Sequence, residues 1–271
     1  MISIEYPNIS CVCVTKDRPH FIKNTIKLFD IQNYTKKDLY IISQGSEKSN
    51  IFIKNYINSL NRKDIHFFTI QNNVSLGYAR NAVVELAKGP IICQWDDDDI
   101  YHPCRLTTQY DNLRKSSKNL ASLYFNFLKY FYQDKKMFWC DWSNEEEISH
   151  RFLCGSIMFK KEVFYMFDNF YPSTGSQSDT EEDLNVLEKI LNVGEVAGVK
   201  EGYQYIYVYH GDNVYDLDHH NLTIDTSWGK KIFDKEKILN NKKNIQSSIE
   251  LLPHTFRPVK MNSSEELVFE Y

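Results

Sequence analysis

The sequence lacks any apolar run near the ~18 residues that a membrane-spanning helix requires, so no such span is expected. Residues 1–8 include Glu5 and show neither the basic nor the apolar segment of a secretory leader. With 32 basic and 36 acidic side chains, the chain also lacks the basic excess typical of nucleic-acid-binding proteins. We therefore expect a cytoplasmic protein with no nucleic-acid partner, whose contact with a membrane would be peripheral.

Zinc-binding and disulfide patterns are absent as well. The six cysteines include no C-x-x-C pair and most lie in apolar stretches, which predicts reduced, buried thiols and no zinc site. The sequence shows no internal repeat and no low-complexity segment. These absences leave a globular protein of one large domain, or one domain with a small appendage, and leave its oligomeric state open.

Aromatic residues, in contrast, are abundant, with 18 Tyr, 17 Phe and 4 Trp. Tyr203, Tyr205, Tyr207 and Tyr209 alternate along one predicted strand and therefore share a face. Phenol and indole rings suit a half-wet groove that holds sugars or nucleotides, but a sheet also needs such a face for packing. The composition leaves both interpretations open.

Short apolar runs alternate with helical spacing of apolar residues in the first part of the chain. The predicted strands are Ile9–Val14, Leu39–Ile42, Ile65–Ile70 and Ile91–Trp95. Helical patterns separate them, which predicts an α/β fold with a parallel sheet and helices on both faces. Because such sheets bind ligands at the carboxyl ends of their strands, three segments are candidate sites. They are Thr15–Pro19, Ser43–Ser46 and Asp96–Asp99.

The pattern changes after Pro103, where strands and helices suggest a mixed, largely antiparallel arrangement. Residues 226–271 are rich in lysine with interspersed isoleucine, and we expect a helical extension packed on the core. A membrane-surface or acceptor-binding role for this basic extension is the alternative.

Four consecutive aspartates in residues 95–100 (WDDDDI) follow a predicted buried strand directly. Carboxylates concentrated at a strand end suit Mg²⁺ or Mn²⁺, which take oxygen ligands and share them with substrate phosphates. The alternatives are a solvated acidic loop or a helix cap ahead of Pro103, for which one aspartate suffices.

Residues 77–106 (GYARNAVVELAKGPIICQWDDDDIYHPCRL) resemble the nucleotide-sugar-binding segment of family 2 glycosyltransferases with the GT-A fold. The TKDRP run at 15–19 is similar to the first-strand loop of that family, and the resemblance extends over roughly residues 9–210. It implies a Rossmann-like mixed central sheet flanked by helices. It also implies one domain over 1–225, with a nucleotide-binding half at about 1–103 and an acceptor-binding half at about 104–225. The helical extension would then occupy 226–271.

The resemblance also implies roles for individual residues. Asp98 would be the main metal ligand, supported by Asp96 or Asp99 and by His210, with Mn²⁺ or Mg²⁺ as the cofactor. Asp183 would be the catalytic base and Glu182 its neighbour, although acids at a helix start are also expected from the helix dipole alone. The remaining residues would line the nucleotide-sugar pocket: Thr15, Asp17, Arg18, Gln44, Arg80, Asp96, Asp97, Gly155 and Ser156.

One departure from the family concerns recognition of the nucleobase. Relatives commonly carry a D-D-x-S motif after the second strand, whereas residues 43–46 here read SQGS. The neutral Gln44 can still donate and accept hydrogen bonds, so a UDP-sugar remains the first expectation, with GDP and dTDP as alternatives.

The resulting expectation is a metal-dependent, inverting glycosyltransferase that uses a glycan, a lipid-linked sugar or a protein as acceptor, as in polysaccharide biosynthesis. Trp139 and Trp142 fall where relatives place the acceptor. A sugar nucleotidyltransferase is the alternative enzyme, but such enzymes carry a G-x-G-T-R-like loop after the first strand. An inactive GT-A-like carbohydrate-binding or scaffold protein is the non-enzymatic alternative.

Overall fold

The computed structural model describes residues 6–222, 235–251 and 267–268. The chain divides into two compact units, each built from three stretches. The first unit comprises Met1–Asp98, Leu106–Ser122 and Cys154–Ala197. The second comprises Asp99–Arg105, Leu123–Leu153 and Gly198–Tyr271. The expected division into a donor half and an acceptor half at residue 103 stays a prediction.

Strands and helices alternate along most of the chain. The strands are β1 (Ile9–Thr15), β2 (Lys37–Ser43), β3 (Ile65–Thr69), β4 (Ile91–Gln94), β5 (Ile100–Tyr101), β6 (Asn119–Tyr124), β7 (Asn126–Phe131), β8 (Lys136–Asp141), β9 (Met158–Lys160), β10 (Glu195–Val199), β11 (Tyr205–Tyr209) and β12 (Leu267–Val268). The helices are α1 (Pro19–Asp30), α2 (Glu47–Ser59), α3 (Leu76–Leu86), α4 (Arg105–Leu113), α5 (Lys161–Phe164), α6 (Glu182–Val193), α7 (Leu217–Leu222) and α8 (Lys235–Glu250).

The larger sheet has seven strands in the order β10-β6-β9-β4-β1-β2-β3. Strands β4, β1, β2 and β3 pair in parallel, whereas β9 runs antiparallel to both β4 and β6. β1 and β4 are apolar and almost entirely buried because helices cover parallel sheets on both faces. The predicted mixed α/β sheet is confirmed.

Local signals fix where the helices around the site begin. Pro19 occupies the first turn of α1, where its missing N–H removes no hydrogen bond. Ser46 and Ser75 cap α2 and α3 by accepting hydrogen bonds from the backbone N–H groups of Ser49 and Tyr78. Both caps follow strand-end loops, so these loops turn directly into helix starts.

The second unit contains a five-stranded sheet in the order β12-β8-β7-β11-β5. The tyrosine-rich strand begins at Tyr205, later than predicted, because Gly202–Gln204 form a 3₁₀ turn. This turn approaches β7 closely: a Cβ atom on Gly202 would lie 2.9 Å from the backbone of Asn126 and Phe127. The predicted four-tyrosine face therefore has three members on the strand.

The tyrosine face of β11 is largely a packing surface. Tyr205 is fully buried and contacts the rings of Tyr101 and Tyr124. Tyr207 and Tyr209 both lie against the ring of the buried His220, at 5.2 and 4.6 Å between centroids. Among the described residues, the face thus packs within the unit, which favours the core interpretation over a sugar groove.

The two tryptophans that the sequence placed near an acceptor differ in exposure. Trp139 is only 4% exposed and belongs to the core of the second unit. Trp142 is partly exposed and packs edge-on against Phe127, with 4.8 Å between ring centroids. Only Trp142 therefore retains surface that a sugar could contact.

Part of the predicted C-terminal extension is helical, as expected, in α8. Ile245 and Ile249 are buried, and the Ser248 hydroxyl donates a 2.6 Å hydrogen bond to the carbonyl of Tyr203. Residues 226–234, 252–266 and 269–271 of the extension lie outside the described residues. In the part of the chain that the structure describes, no helix has the length and apolar character needed to cross a membrane. All six cysteines are free thiols.

Candidate functional site

Three strand ends of the first unit meet because β1 pairs in parallel with both β2 and β4. Thr15 at the end of β1 lies opposite Ser43 at the end of β2, and its carbonyl accepts a hydrogen bond from the Gln44 N–H at 3.0 Å. The Thr15 hydroxyl donates a 2.5 Å hydrogen bond to Asp97, which follows β4. Thr15, Gln44 and Asp97, one residue from each predicted candidate segment, therefore lie together at the carboxyl edge of the sheet.

Asp17 joins the first two of these loops. It adopts the left-handed backbone conformation (φ 53°), and its carboxylate accepts hydrogen bonds from both the N–H and the hydroxyl of Ser46 at 2.7 Å. The hydroxyl bond and then the N–H bond hold the pKa of Asp17 below its usual value. A Cβ atom on Gly45 would lie 2.9 Å from the Asp17 N–H, so this contact requires glycine. Asp17 itself stays exposed to solvent.

Gln44 is buried beside this junction. Its side-chain amide donates a 2.7 Å hydrogen bond to the carbonyl of Val74, just before the cap of α3. The Gln44 amide nitrogen therefore supports the loop ahead of α3, a contact that the sequence did not predict.

Asp97 is the most deeply buried acid at the end of β4 in the first unit, at 2% exposure. Burial, and then the neighbouring charge of Asp98, raise its pKa to about 7, against the opposing effects of Arg18 and the Thr15 hydrogen bond. Arg18 lies 3.5 Å from Asp97. Asp97 thus ties β1 to β4.

Asp98 forms an ion pair with Arg18, with 2.7 Å between the carboxylate oxygen and Nη1, and it remains partly accessible. Hard oxygen donors at this position suit Mg²⁺ or Mn²⁺. Among the described residues, no three histidine, cysteine, aspartate or glutamate side chains are grouped to form a metal site by themselves. A cation at Asp98 would therefore need further ligands, which the phosphate oxygens of a substrate can supply.

Arg80 links the end of β4 to the start of α6. Its guanidinium pairs with Asp96 at 3.1 Å and with Glu182 at 2.8 Å. Burial alone would lower the pKa of Arg80, but the charges of Asp96 and Glu182 outweigh it and raise the pKa well above its usual value. The guanidinium is therefore charged and held by two acids.

Asp183 lies in the first turn of α6 and keeps some exposure to solvent. One of its oxygens accepts a 2.9 Å hydrogen bond from the N–H of Leu184. Burial, and then the charge of Glu182, raise the pKa of Asp183 to about 7, while Arg80 opposes this shift. A carboxyl with such a pKa can take up a proton near neutral pH.

Gly155 lies between two acidic groups, which are the aspartates that follow β4 and the Glu182–Asp183 pair at the start of α6. A Cβ atom on Gly155 would sit 3.2 Å from an oxygen of Asp96 and 3.7 Å from an oxygen of Asp183. The absence of a side chain at this position keeps the space between the two carboxylates open. The adjacent Ser156 is fully buried, so its side chain offers no accessible surface to a ligand. Its backbone carbonyl accepts a hydrogen bond from Gln109.

Asp99 and His210, both predicted as metal ligands, belong to the second unit. The two carboxylate oxygens of Asp99 accept hydrogen bonds from the Tyr205 hydroxyl at 2.7 Å and the Val208 N–H at 2.9 Å. Asp99 thus fastens β11, and we do not retain it as a proposed metal ligand. Nδ1 of His210 accepts a 3.3 Å hydrogen bond from the N–H of Asp212, and a role for His210 at a metal stays a prediction.

Several contacts in the first unit were not predicted from sequence. Asn81 exchanges two hydrogen bonds with the backbone of Tyr171, and Asp179 accepts a hydrogen bond from the N–H of Leu76. An asparagine inside an amphipathic helix and an aspartate in a polar loop carry no signal of these long-range partners. Only the G-Y-A-R-N run around Asn81 marked the helix as unusual.

A mixed α/β sheet with clustered aspartates after β4, and a second acid pair at the start of α6, agrees with the GT-A fold that the sequence resemblance implies. The family model for glycosyl transferase family 2 matches residues 10–171. The chain therefore belongs to glycosyl transferase family 2.

Individual relatives agree with this assignment. An uncharacterized glycosyltransferase of Methanocaldococcus jannaschii is 31% identical over 146 residues, which cover 50% of this chain and 50% of that protein. The match thus spans about half the length of this curated relative.

Two solved structures share the fold at 12% sequence identity. S. aureus TarS 1–349 in complex with UDP-GlcNAc superposes with a TM-score of 0.58 and covers 91% of this chain and 82% of that chain. Mannosyltransferase PcManGT from Pyrobaculum calidifontis in complex with GDP-Man and Mn²⁺ gives a TM-score of 0.59, with 92% and 74% covered.

Proposed function

We propose that this chain transfers a sugar from a nucleotide-sugar donor to a hydroxyl group of a glycan, lipid-linked or protein acceptor, with inversion at the anomeric carbon. The observation that carries the proposal is the pair of carboxylates on either side of Gly155. Oxygens of Asp96 and Asp183 both lie within 4 Å of the same point, on elements that the sequence separates widely. Asp96 belongs to the cluster at the end of β4, which suits a cation and the diphosphate bound to it. Asp183 has a pKa raised to about 7, which suits a group that accepts a proton.

The proposed reaction is a single displacement. The acceptor oxygen forms a bond to the anomeric carbon while the bond from that carbon to the diphosphate oxygen breaks. The electron pair of the broken bond leaves with the nucleoside diphosphate, and the acceptor proton passes to Asp183. A carboxylate suffices as the base because the hydroxyl proton becomes acidic only as its oxygen bonds to an oxocarbenium-like carbon.

The residues around β4 hold the leaving group. Asp98, with Asp96 nearby, would hold the divalent cation, which when bound neutralises charge on the diphosphate. The family resemblance and the Mn²⁺ in the PcManGT structure support this assignment. Arg18 supplies a positive charge beside Asp98, and its place in the strand-end cluster suits a second contact with phosphate oxygens.

The nucleoside would occupy the loops that follow β1 and β2. Thr15 and Asp97 are bonded to each other, and Asp17 is held rigidly by Ser46, so this edge of the sheet is preorganised before any ligand binds. UDP is the proposed nucleotide. The structural neighbours were solved with UDP-GlcNAc and GDP-Man, so GDP is the first competitor to test.

A thermal-shift series tests the proposal at the level of the nucleotide. The purified chain is heated with UDP, GDP and dTDP, each with and without Mn²⁺, and the stabilisation by each pair is compared. We expect one nucleotide to raise Tm, and Mn²⁺ to increase the effect. If no nucleotide changes Tm, the donor-binding proposal fails and a scaffold function is favoured.

A donor panel then identifies the reaction. Each nucleotide sugar is incubated with the protein and Mn²⁺, and released nucleoside diphosphate is measured with and without candidate acceptor glycans. Release of a nucleoside diphosphate from one donor supports a transferase. Release of a sugar phosphate together with a nucleoside triphosphate, when pyrophosphate is supplied, would instead indicate a nucleotidyltransferase.

A further inference from the structure

Helix α3 is bonded at several points to the segment that leads from Tyr171 to Asp183. The hydroxyl of Ser75, its cap, donates a 2.8 Å hydrogen bond to the carbonyl of Ser173. The Leu76 N–H donates to the Asp179 carboxylate, also at 2.8 Å. We call residues 171–183 the base segment, since it ends at the proposed catalytic base. The first turn of α3 therefore restrains the middle of this segment.

Gly77 permits the closest of these contacts. Its N–H donates a 2.8 Å hydrogen bond to the carbonyl of Ser178. A Cβ atom at this position would lie 1.8 Å from the carbonyl oxygen of Pro172, a distance that no side chain can tolerate. The glycine thus lets the base segment lie directly on the helix backbone.

Asn81 fixes the beginning of the base segment. Its side-chain amide donates a 2.7 Å hydrogen bond to the carbonyl of Tyr171 and accepts a 2.9 Å hydrogen bond from the N–H of the same residue. Tyr171 is buried, and its hydroxyl donates to the side-chain oxygen of Gln94 at 3.3 Å. The Asn81 side chain therefore satisfies both backbone hydrogen-bonding groups of Tyr171, whose ring is buried in the core.

Arg80 fixes the end of the base segment. It pairs with Glu182, the residue just before Asp183, and with Asp96 at the end of β4. Its guanidinium carbon lies 5.9 Å from the centre of the Tyr171 ring. Arg80 therefore joins Asp96, on one side of Gly155, to the residue that immediately precedes Asp183 on the other side.

We propose that Arg80 and Asn81 are positioning residues, through which α3 clamps the base segment and holds Asp183 beside Gly155. This role rests on the proposed function of Asp183 as the base. It differs from the role that the family resemblance implies for Arg80, which is contact with the nucleotide. In the proposed role, the charge of Arg80 is neutralised by two protein carboxylates, and Asn81 hydrogen-bonds to the backbone of Tyr171.

Kinetics and nucleotide binding distinguish the proposed positioning role of Arg80 and Asn81 from direct contact with the nucleotide. A misplaced base lowers the rate of the chemical step without weakening the donor, so Asn81→Ala should reduce kcat about tenfold and leave the Kd for the nucleotide within about twofold. Arg80→Ala should have a larger effect, and Arg80→Lys should recover only part of it, because lysine keeps the charge but loses the planar fork. Asn55→Ala, at an exposed site on α2, is the matched control and should leave both quantities unchanged.

Hydrogen exchange followed by mass spectrometry reports the clamp without any need for turnover. Asn81→Ala should accelerate exchange about tenfold in residues 171–183 and leave β1 unaffected. If the wild-type protein proves inactive with every donor, the proposed function fails while this measurement still decides the clamp. Unchanged exchange in the base segment overturns the proposal, as do unchanged turnover in both alanine variants or a loss of nucleotide affinity that matches the loss of turnover.

Discussion

The two acidic groups of the first unit differ in how their charges are compensated. At the end of β4, Asp98 is paired directly with Arg18, and Asp96 with Arg80. At the start of α6, Asp183 has the N–H of Leu184 as a hydrogen-bond partner and Glu182 as a charged neighbour. Carboxylates grouped at a strand end suit cation binding, whereas a desolvated carboxylate near a like charge suits proton transfer.

The run of aspartates at residues 96–99 is therefore not one functional unit. Asp96 and Asp98 are ion-paired, Asp97 is bonded to the Thr15 hydroxyl, and Asp99 accepts its hydrogen bonds from β11. Four identical neighbours in sequence thus acquire four environments, because a chain leaving a strand end points successive side chains in different directions. The acidic groups should accordingly respond differently to substitution.

The largest effect should follow from Asp183→Asn, which removes the proposed base while keeping the size of the side chain. Turnover of the donor in the presence of acceptor should fall about 1000-fold, within the usual contribution of general base catalysis. The exposed Glu188→Gln on the same helix is the control and should retain wild-type turnover. Residual activity within tenfold of wild type would rule out Asp183 as the base.

The pH dependence of kcat should show that Asp183, at the start of α6, is the base. Because the pKa of Asp183 is raised to about 7, the base is protonated below that pH, and kcat should fall about tenfold per pH unit on the acid side. Glu182→Gln removes the negative charge that raises this pKa, so the acid limb of the kcat profile should move to lower pH. An unmoved limb would mean that another group controls the profile.

A smaller effect is expected at Gly155, which separates the two acidic groups. In Gly155→Ala, the new methyl group would sit 3.2 Å from Asp96 and fill the space between the carboxylates. We expect turnover to fall about tenfold with Tm nearly unchanged, since the methyl group displaces a reacting group by a fraction of an ångström. Steady-state kinetics and thermal melting check this, and an unaffected rate would show that the reacting atoms lie elsewhere.

The smallest effect concerns stability, at Asp97. Its folded-state pKa of about 7 lies above the ordinary 3.8, so the folded protein favours the protonated carboxyl group. The stability that this group contributes is complete below pH 3.8 and is lost as the pH rises to about 7. At pH 8 in metal-free buffer, Asp97→Asn should therefore raise the free energy of unfolding, because the amide removes a buried negative charge. The exposed Asp168→Asn serves as the control and should bring no gain. Denaturant unfolding measures both, and a destabilised Asp97→Asn protein would contradict the assignment.

Much of the fold could be predicted because the parallel strands are buried on both faces and therefore appear as apolar runs. The start of β11 could not, since the 3₁₀ turn before Tyr205 depends on the close approach of Gly202 to β7. The caps Ser46 and Ser75 were missed although serine before an apolar helix is a known start signal.

The candidate site was predicted less completely. Acids at a strand end and at a helix start, together with the family resemblance, pointed to Asp98 and Asp183. The ion pairs of Arg18 and Arg80 join residues 80 and 102 positions apart, and no local spacing reveals such partners. For the same reason Asn81 carried no signal, because its partner Tyr171 is 90 positions away.

Parallel measurement of donor affinity and turnover in Asp98→Ala and Asp183→Asn tests most directly whether the two acidic groups have separate roles. Asp98→Ala should weaken Mn²⁺-dependent binding of the nucleotide sugar about tenfold to 100-fold, because it removes a cation ligand. Asp183→Asn should bind the donor like wild type and fail to turn it over. Equal losses of affinity and turnover in both variants would contradict the division between a group that holds the leaving group and a group that takes the proton.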